Sequence, residues 1–378
     1  MSRPTDTRNP NFAIMIICEG KRTEPNFFYC LCKDLKERGI LTCEYAILPK
    51  SSFEKVDEET NVDRGDRKRV VRELNKGKVI PTVANELFPG EQPLNWVKAG
   101  LGYLDTYNEV WCVFDKDGHP KQKEAFALVD KNREEGKNIN IAFSSRCIEY
   151  YFLIHFEYIY KAFEKSECNE KQYKGKKSKT VYFNCMTPDA VPGKACDGSL
   201  CVNGYARMKG YWKESKTDIS LYPVLRKKLY IGIRNAFKVR EESYRNDTYS
   251  PIYERNPFVT TDNLIARLLG LHIIGGNQHE FSVNGTTLNI TFDNAELRIL
   301  NSGKISYVID KAGIESLNIE TEKTIPLCNS SCILEPGQEI SISLKTEDKY
   351  ITRLNLGNDH YILEKYQYGF EASAVPRR

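Results

Sequence analysis

The sequence has no apolar run approaching the ~20 residues of a membrane-spanning helix, which excludes an integral helical membrane protein as the first reading. Residues 1–11 are polar and lack the apolar centre of a secretory signal, so a cytoplasmic location is expected. No P-loop occurs, so a P-loop ATPase activity is not expected of this chain. Cysteine is plentiful, at 12 residues, yet none form the tight Cys-x-x-Cys knuckle of a zinc ribbon. Without a secretory signal a disulfide framework is not expected either. A formal net charge of only +4 says little about partners.

With 378 residues, 40% of them hydrophobic and 28% charged, the chain is long enough for two or three domains with a sizeable core. Its charge is unevenly placed. Between Lys161 and Arg245, basic residues outnumber acidic ones by roughly two to one, whereas the stretch after Gln278 is mildly acidic.

The stretch Trp111-Cys112-Val113-Phe114-Asp115-Lys116-Asp117-Gly118-His119 organises the rest. It reads as a short apolar strand running into an Asp-x-Asp pair, which would project both carboxylates from the carboxyl edge of a sheet. Carboxylates so close repel one another unless a cation or a shared proton intervenes, and hard oxygen ligands suit Mg²⁺ or Mn²⁺. A plain polar turn explains the four residues Asp115–Gly118 as well. A second apolar run, Phe12–Cys18, ends in Glu19-Gly20-Lys21-Arg22-Thr23-Glu24-Pro25. Gly20 permits a sharp turn, and Thr23 is the expected cap of the helix that Pro25 opens. Two parallel strands would thus deliver acids to one edge.

This pairing of strand-Glu-Gly with a later strand-Asp-x-Asp resembles the Toprim domain, a metal-dependent catalytic fold. A third stretch, Ser144-Ser145-Arg146-Cys147-Ile148-Glu149-Tyr150, leads into Leu153-Ile154-His155-Phe156. Together the three, in this order, resemble the RloB family, over about residues 10–272. RloB-like proteins are Toprim-type proteins that accompany restriction and anti-phage systems, some with an ATPase partner. The third stretch departs from the family pattern, which has Ser-Asn-Pro before Cys-Phe-Glu. Here Ser145, Arg146 and Ile148 intervene, while Ser144 and Glu149 are kept.

The resemblance implies Glu19, Asp115 and Asp117 as primary metal ligands. Glu149 would complete a two-metal site, or else cap its helix with Ser145. Glu24 would hold a second ion or serve as helix-entry charge. His119 suits a proton shuttle or an exposed loop, and His155 reads as a core residue. Lys216, preferred over Lys213, sits where related nucleases place a lysine that stabilises developing charge.

Alternating apolar and helical patterns predict an α/β fold with a Toprim-like parallel sheet flanked by helices. Helices are expected at 24–38 and 121–135, with strands at 42–48 and 139–143. Residues 12–163 would form the catalytic core, with an elaboration at about 51–105. Residues 164–212 form a basic insertion whose Cys168, Cys185, Cys196 and Cys201 offer a four-thiolate Zn²⁺ site, or are incidental thiols. Residues 213–274 would complete the core, with one helical periodicity along 219–244. Gly275–Asn277 reads as a linker, and 279–378 alternate like an all-β sandwich. Cys328 and Cys332 are taken as structural.

The expectation is a Mg²⁺- or Mn²⁺-dependent nuclease that cleaves RNA (tRNA among the candidates) or DNA in anti-phage defence. Its basic segment would bind the nucleic acid, and an ATPase partner and a homo-oligomer remain open. The alternative is a regulatory or adaptor subunit in which the β-sandwich docks a partner.

Overall fold

The structure, a computed structural model, describes residues 12–20, 22–49, 51, 92–116, 118–166, 201–212, 221–275, 278–293 and 295–364. Strands β1 (Ala13–Cys18), β2 (Glu44–Leu48), β3 (Glu109–Asp115) and β4 (Ile139–Ser145) lie parallel, and the short β5 (Phe258–Val259) runs antiparallel to β4. The order across the sheet is β2-β1-β3-β4-β5. Every residue of β3 is buried, as expected when helices cover both faces of a parallel sheet.

The two faces separate by residue parity. Met15, Ile17, Cys112, Phe114, Ile141 and Phe143 meet helices α2 (Leu94–Tyr103) and α3 (Gln122–Glu134) through Trp96, Val97, Phe126 and Val129. Ile14, Ile16, Trp111 and Val113 point the other way. They pack with α1 (Thr23–Glu37), α4 (Ile148–Leu153), α5 (Val202–Met208), α6 (Leu221–Arg226), α7 (Leu229–Asn246) and α8 (Thr261–Leu268). Residues 94–103, grouped in the sequence with an elaboration, thus form one of the two layers against the sheet.

Several local expectations shift. Helix α1 starts at Thr23 itself, with Arg22 at the N-cap and no side-chain cap bond. The 219–244 periodicity is broken at Lys227 and Lys228 into α6 and α7. Helix α6 meets Asp34 of α1 through an Arg226 ion pair of 2.9 Å and the Tyr222 hydroxyl at 3.4 Å.

Beyond α8, β6 (Leu271–Gly275) adds parallel to β16 (Asp359–Glu364), so the C-terminal β-rich region recruits a strand upstream of its expected start at His279. Gly275, assigned in the sequence to a linker, closes that strand, while residues 276 and 277 lie outside the described residues. One sheet runs β12 (Thr324–Pro326), β11 (Ile314–Asn318), β15 (Tyr350–Leu356), β16, β6. The other runs β14 (Glu339–Ser343), β9 (Glu296–Asn301), β8 (Thr286–Phe292), β7 (Gln278–Val283). A ribbon of β10 (Tyr307–Ile309) and β13 (Cys332–Leu334) completes it. Leu288, Ile290, Ile299, Leu354 and Leu363 fill the space between. Leu317, Ile319, Ile351 and Ile362 face outward from the first sheet and join the helical core instead.

Helix α7 binds the parts together. Arg240, fully buried, bonds Asp262 through Nη1–Oδ1 at 2.5 Å and Nη2–Oδ2 at 2.8 Å, and the Val259 carbonyl at 2.5 Å. Burial pushes the Asp262 carboxyl up, and the Arg240 charge opposes that push. On the same helix Arg234 donates to the carbonyl of Tyr350 at 2.7 Å, and Lys238 pairs with Asp348 at 2.6 Å. His155 is buried as expected, its Nδ1 donating to the Tyr151 carbonyl at 2.8 Å.

Two stability outcomes follow from these buried groups. Arg240→Met strands a carboxylate in the core, and urea unfolding should show a loss of about 3–5 kcal/mol, partly recovered in Arg240→Met/Asp262→Leu. Burial lowers the His155 pKa to about 4 from an ordinary 6.5. The unfolded chain therefore binds the extra proton first, so stability is present above pH ~6.5 and is lost as pH falls towards 4, by up to about 3 kcal/mol. His155→Gln should flatten that limb of the urea midpoint–pH curve relative to wild type.

Candidate metal-binding acid edge

Parallel pairing of β1 with β3 sets Cys18 beside Val113, and the ladder continues one step further as the Glu19 N–H donates to the Val113 carbonyl at 2.9 Å. The Glu19 carboxylate then accepts the Asp115 N–H at 3.0 Å. The two acids thus leave neighbouring strands at the same edge, as the sequence suggested. Asp115, 8% exposed, is steadied by Gln122 of α3, whose amide donates to its carbonyl at 3.1 Å.

Two further acids lie in the first turns of the helices that follow β1 and β4. Glu24, in the first turn of α1, is 6% exposed, and its carboxylate lies against the Cα of Gly20, where any Cβ would collide with it. Glycine is required there for close approach. Glu149, in the first turn of α4, is 2% exposed. The N-cap of α4 is Cys147 with no side-chain cap bond, so the alternative in which Ser145 caps this helix is not what is seen. The Cys18 thiol registers two of these acids. Burial raises its pKa first, and the charges of Glu24 and, more weakly, Asp115 push it further.

His119 is partly buried, and its Nε2 pairs with the Glu19 carboxylate. Lys116 places its amino group on the carbonyls of Glu254 and Arg255, the latter at 3.1 Å. Burial, with Arg146 nearby, lowers its pKa to about 8 against the pull of Glu254. The end of β4 is wrapped by the segment that follows α7. The Thr260 hydroxyl accepts the Phe143 N–H at 3.0 Å, and the Ser144 and Thr261 hydroxyls lie 2.8 Å apart. The sequence carried no sign of the Lys116 and Thr260 contacts, because each joins a polar residue to backbone more than 100 residues away.

Asp117, Lys213 and Lys216 lie outside the described residues. So do Cys168, Cys185 and Cys196; Cys201 is buried, and its Sγ accepts the Gly204 N–H at 3.2 Å to cap α5. Among the described residues no group of three or more His, Cys, Asp or Glu stands in metal-holding geometry. The donor types nevertheless fit a hard divalent cation, since Glu19, Glu24, Asp115 and Glu149 bring carboxylates to one sheet edge.

Residues 14–268 match the model of the RloB-like protein family. The chain belongs to that family. No curated protein matches it. The family match takes in every residue of the acid edge and stops just before β6, so the β-rich region of this RloB-like chain lies outside it. No helix among the described residues is long and apolar enough to cross a membrane.

If the edge holds a cation, Mn²⁺ should raise the melting temperature of the wild-type protein in a thermal-shift titration. Asp115→Asn should abolish that rise while leaving the metal-free melting temperature within about 2 °C, as a substitution of similar volume at the edge of the core costs little.

Proposed function

We propose that this RloB-like protein is a Mg²⁺- or Mn²⁺-dependent Toprim-type nuclease acting on RNA, tRNA among the candidates, or DNA in anti-phage defence. The observation that carries the reading is the bond between the Glu19 carboxylate and the Asp115 N–H across two parallel strands, with Glu24 and Glu149 buried at the same edge. Glu19, Asp115 and Asp117 would hold the first ion, and Glu24 and Glu149 a second. A divalent ion there supplies charge neutralisation for phosphoryl oxygens and lowers the pKa of an attacking water.

The chain's own residues do the remaining work. His119, paired with Glu19, is placed to take a proton at that carboxylate or pass it to solvent. Gln122 and the Lys116 anchor hold the backbone that carries Asp115, so the carboxylate keeps its direction without rearrangement. Lys216 is the proposed cation for charge developing on the scissile phosphate. A cytoplasmic setting and a separate ATPase partner accompany the reading. The contrasting role, a regulatory or adaptor subunit docked through its β-rich region, would leave the acids without work to do.

The purified protein mixed with total RNA or with plasmid DNA, plus Mg²⁺ or Mn²⁺, should cleave one of them. The double substitution Asp115→Asn/Asp117→Asn should lower the rate by at least 100-fold, as expected on losing groups that hold the metals. An equal rate in the double variant would sink the nuclease reading. A well-folded protein that neither cleaves nor binds Mn²⁺ would favour the adaptor role.

A further inference from the structure

Among the described basic residues between 161 and 245, two kinds of setting stand out. Arg240 is locked to Asp262, Lys238 to Asp348, Arg226 to Asp34 and Arg245 to Glu241, while Arg234 bonds the Tyr350 carbonyl. Of these, the buried Arg240 and Arg234 tie distant elements together, while the exposed Arg226 and Arg245 pairs contribute little. Lys161, Lys209 and Lys228 instead lie over aromatic rings. The Lys161 amino group is 5.1 Å from the Phe163 ring centre and 5.5 Å from that of Tyr205. Lys209 also lies 5.5 Å from Tyr205, and Lys228 lies 5.7 Å from Phe156.

The rings are fixed in place. Phe156 stacks on Tyr211 with centroids 4.6 Å apart and planes 14° from parallel, and Trp212 lies 6.0 Å from Phe156. The Tyr205 hydroxyl donates to Glu157 at 2.8 Å, and the Tyr211 hydroxyl engages the same carboxylate. Tyr205, Tyr211 and Phe156 are all partly exposed. A carboxylate that holds two phenols keeps their rings from collapsing onto the protein, so the surface is preorganised.

Bonded contacts run from the Phe163 end of this surface towards the segment that carries Asp115. The Phe163 carbonyl accepts the side-chain amide of Asn256 at 2.8 Å. The preceding residue, Arg255, offers its carbonyl to Lys116, which follows Asp115 directly. Two hydrogen bonds and two peptide links therefore lead from Phe163, which lies under the Lys161 ammonium, to Asp115.

We propose that the surface carrying Phe156, Lys161, Tyr205, Lys209, Tyr211 and Lys228 is the track that holds single-stranded nucleic acid beside the acid edge. Bases stack on Tyr205 and on the Phe156–Tyr211 pair, and phosphates follow the three lysines. A duplex keeps its bases inside and gains only the phosphate contacts, so the track favours single strands. The inference rests on the phosphodiester-cleaving reading, but it makes a claim about binding that needs no metal.

The test is fluorescence anisotropy in EDTA with a labelled 12-nucleotide single-stranded RNA, the same sequence as DNA, and its duplex. Wild type should bind the single strands more tightly than the duplex. Lys161→Glu/Lys209→Glu should weaken single-strand binding at least tenfold and reduce the slope of log affinity against log salt by about 1.4, the value for two lost phosphate contacts on a single strand. Tyr205→Leu, which keeps the packing against Phe163, should lose about fivefold or more on single strands and little on the duplex. Lys323→Glu, on the β-rich region, should bind as wild type does. Unchanged single-strand affinity in both track variants overturns the proposal, as does a wild type that binds no nucleic acid in EDTA. Equal losses on duplex and single strand overturn the stacking role. Cleavage by wild type together with unaltered binding and cleavage in the track variants leaves the nuclease reading standing and removes the track. Asp115→Asn that binds normally but does not cleave separates the two sites in the other direction.

Discussion

Arg240 is wholly buried and reaches three oxygens at once, two on Asp262 and one on the Val259 carbonyl. Taking both charges out of water costs several kcal/mol per ion, and the paired geometry offsets that cost only because each carboxylate oxygen meets its own guanidinium nitrogen. An apolar pair could fill the same volume. It could not hold the Val259 carbonyl, and through it the strand that closes the sheet beside β4. From that strand the neighbouring Thr260 and Thr261 grip the end of β4. The same helix faces the β-rich region with Arg234 and Lys238. One helix therefore sets the relation between the sheet, its acid edge and the C-terminal region.

The acid edge concentrates negative charge where water is largely excluded. Glu24 and Glu149 enter from helix first turns, where the positive end of the peptide dipoles favours a carboxylate, though α4 is too short for that effect to be large. Lys116, although it sits between two aspartates in sequence, directs its ammonium to the carbonyls of Glu254 and Arg255. It acts on the acids by fixing backbone. His119 brings a ring nitrogen to the edge through its contact with the Glu19 carboxylate.

Much of this architecture was legible because it depends on burial, which the sequence encodes as pattern. The runs Ala13–Cys18 and Glu109–Asp115 announced strands, and the acids at their ends announced the edge on which they meet. Helices α1 and α3 and the alternating strands of the β-rich region followed from the same periodicity. What escaped depends on which partner stands opposite. Arg240 and Asp262 are charged residues 22 positions apart with no local signature. The break between α6 and α7 at Lys227 and Lys228 escaped because leucine spacing alone runs straight through it. Leu271–Ile274 read as the end of a helical region because the strand they pair with lies near the other end of the chain.

The sheet that contains β11, β15 and β16 has no solvent face over much of its area. Leu317, Ile319, Ile351 and Ile362 are shared with the helices, while Leu354 and Leu363 on the opposite side are shared with the second β-sheet. A chain ending where the family match ends, at 268, would leave the helical layer with an uncovered apolar strip. The family segment and the C-terminal region thus share one apolar core, so the end of the family match in sequence is not an edge of that core.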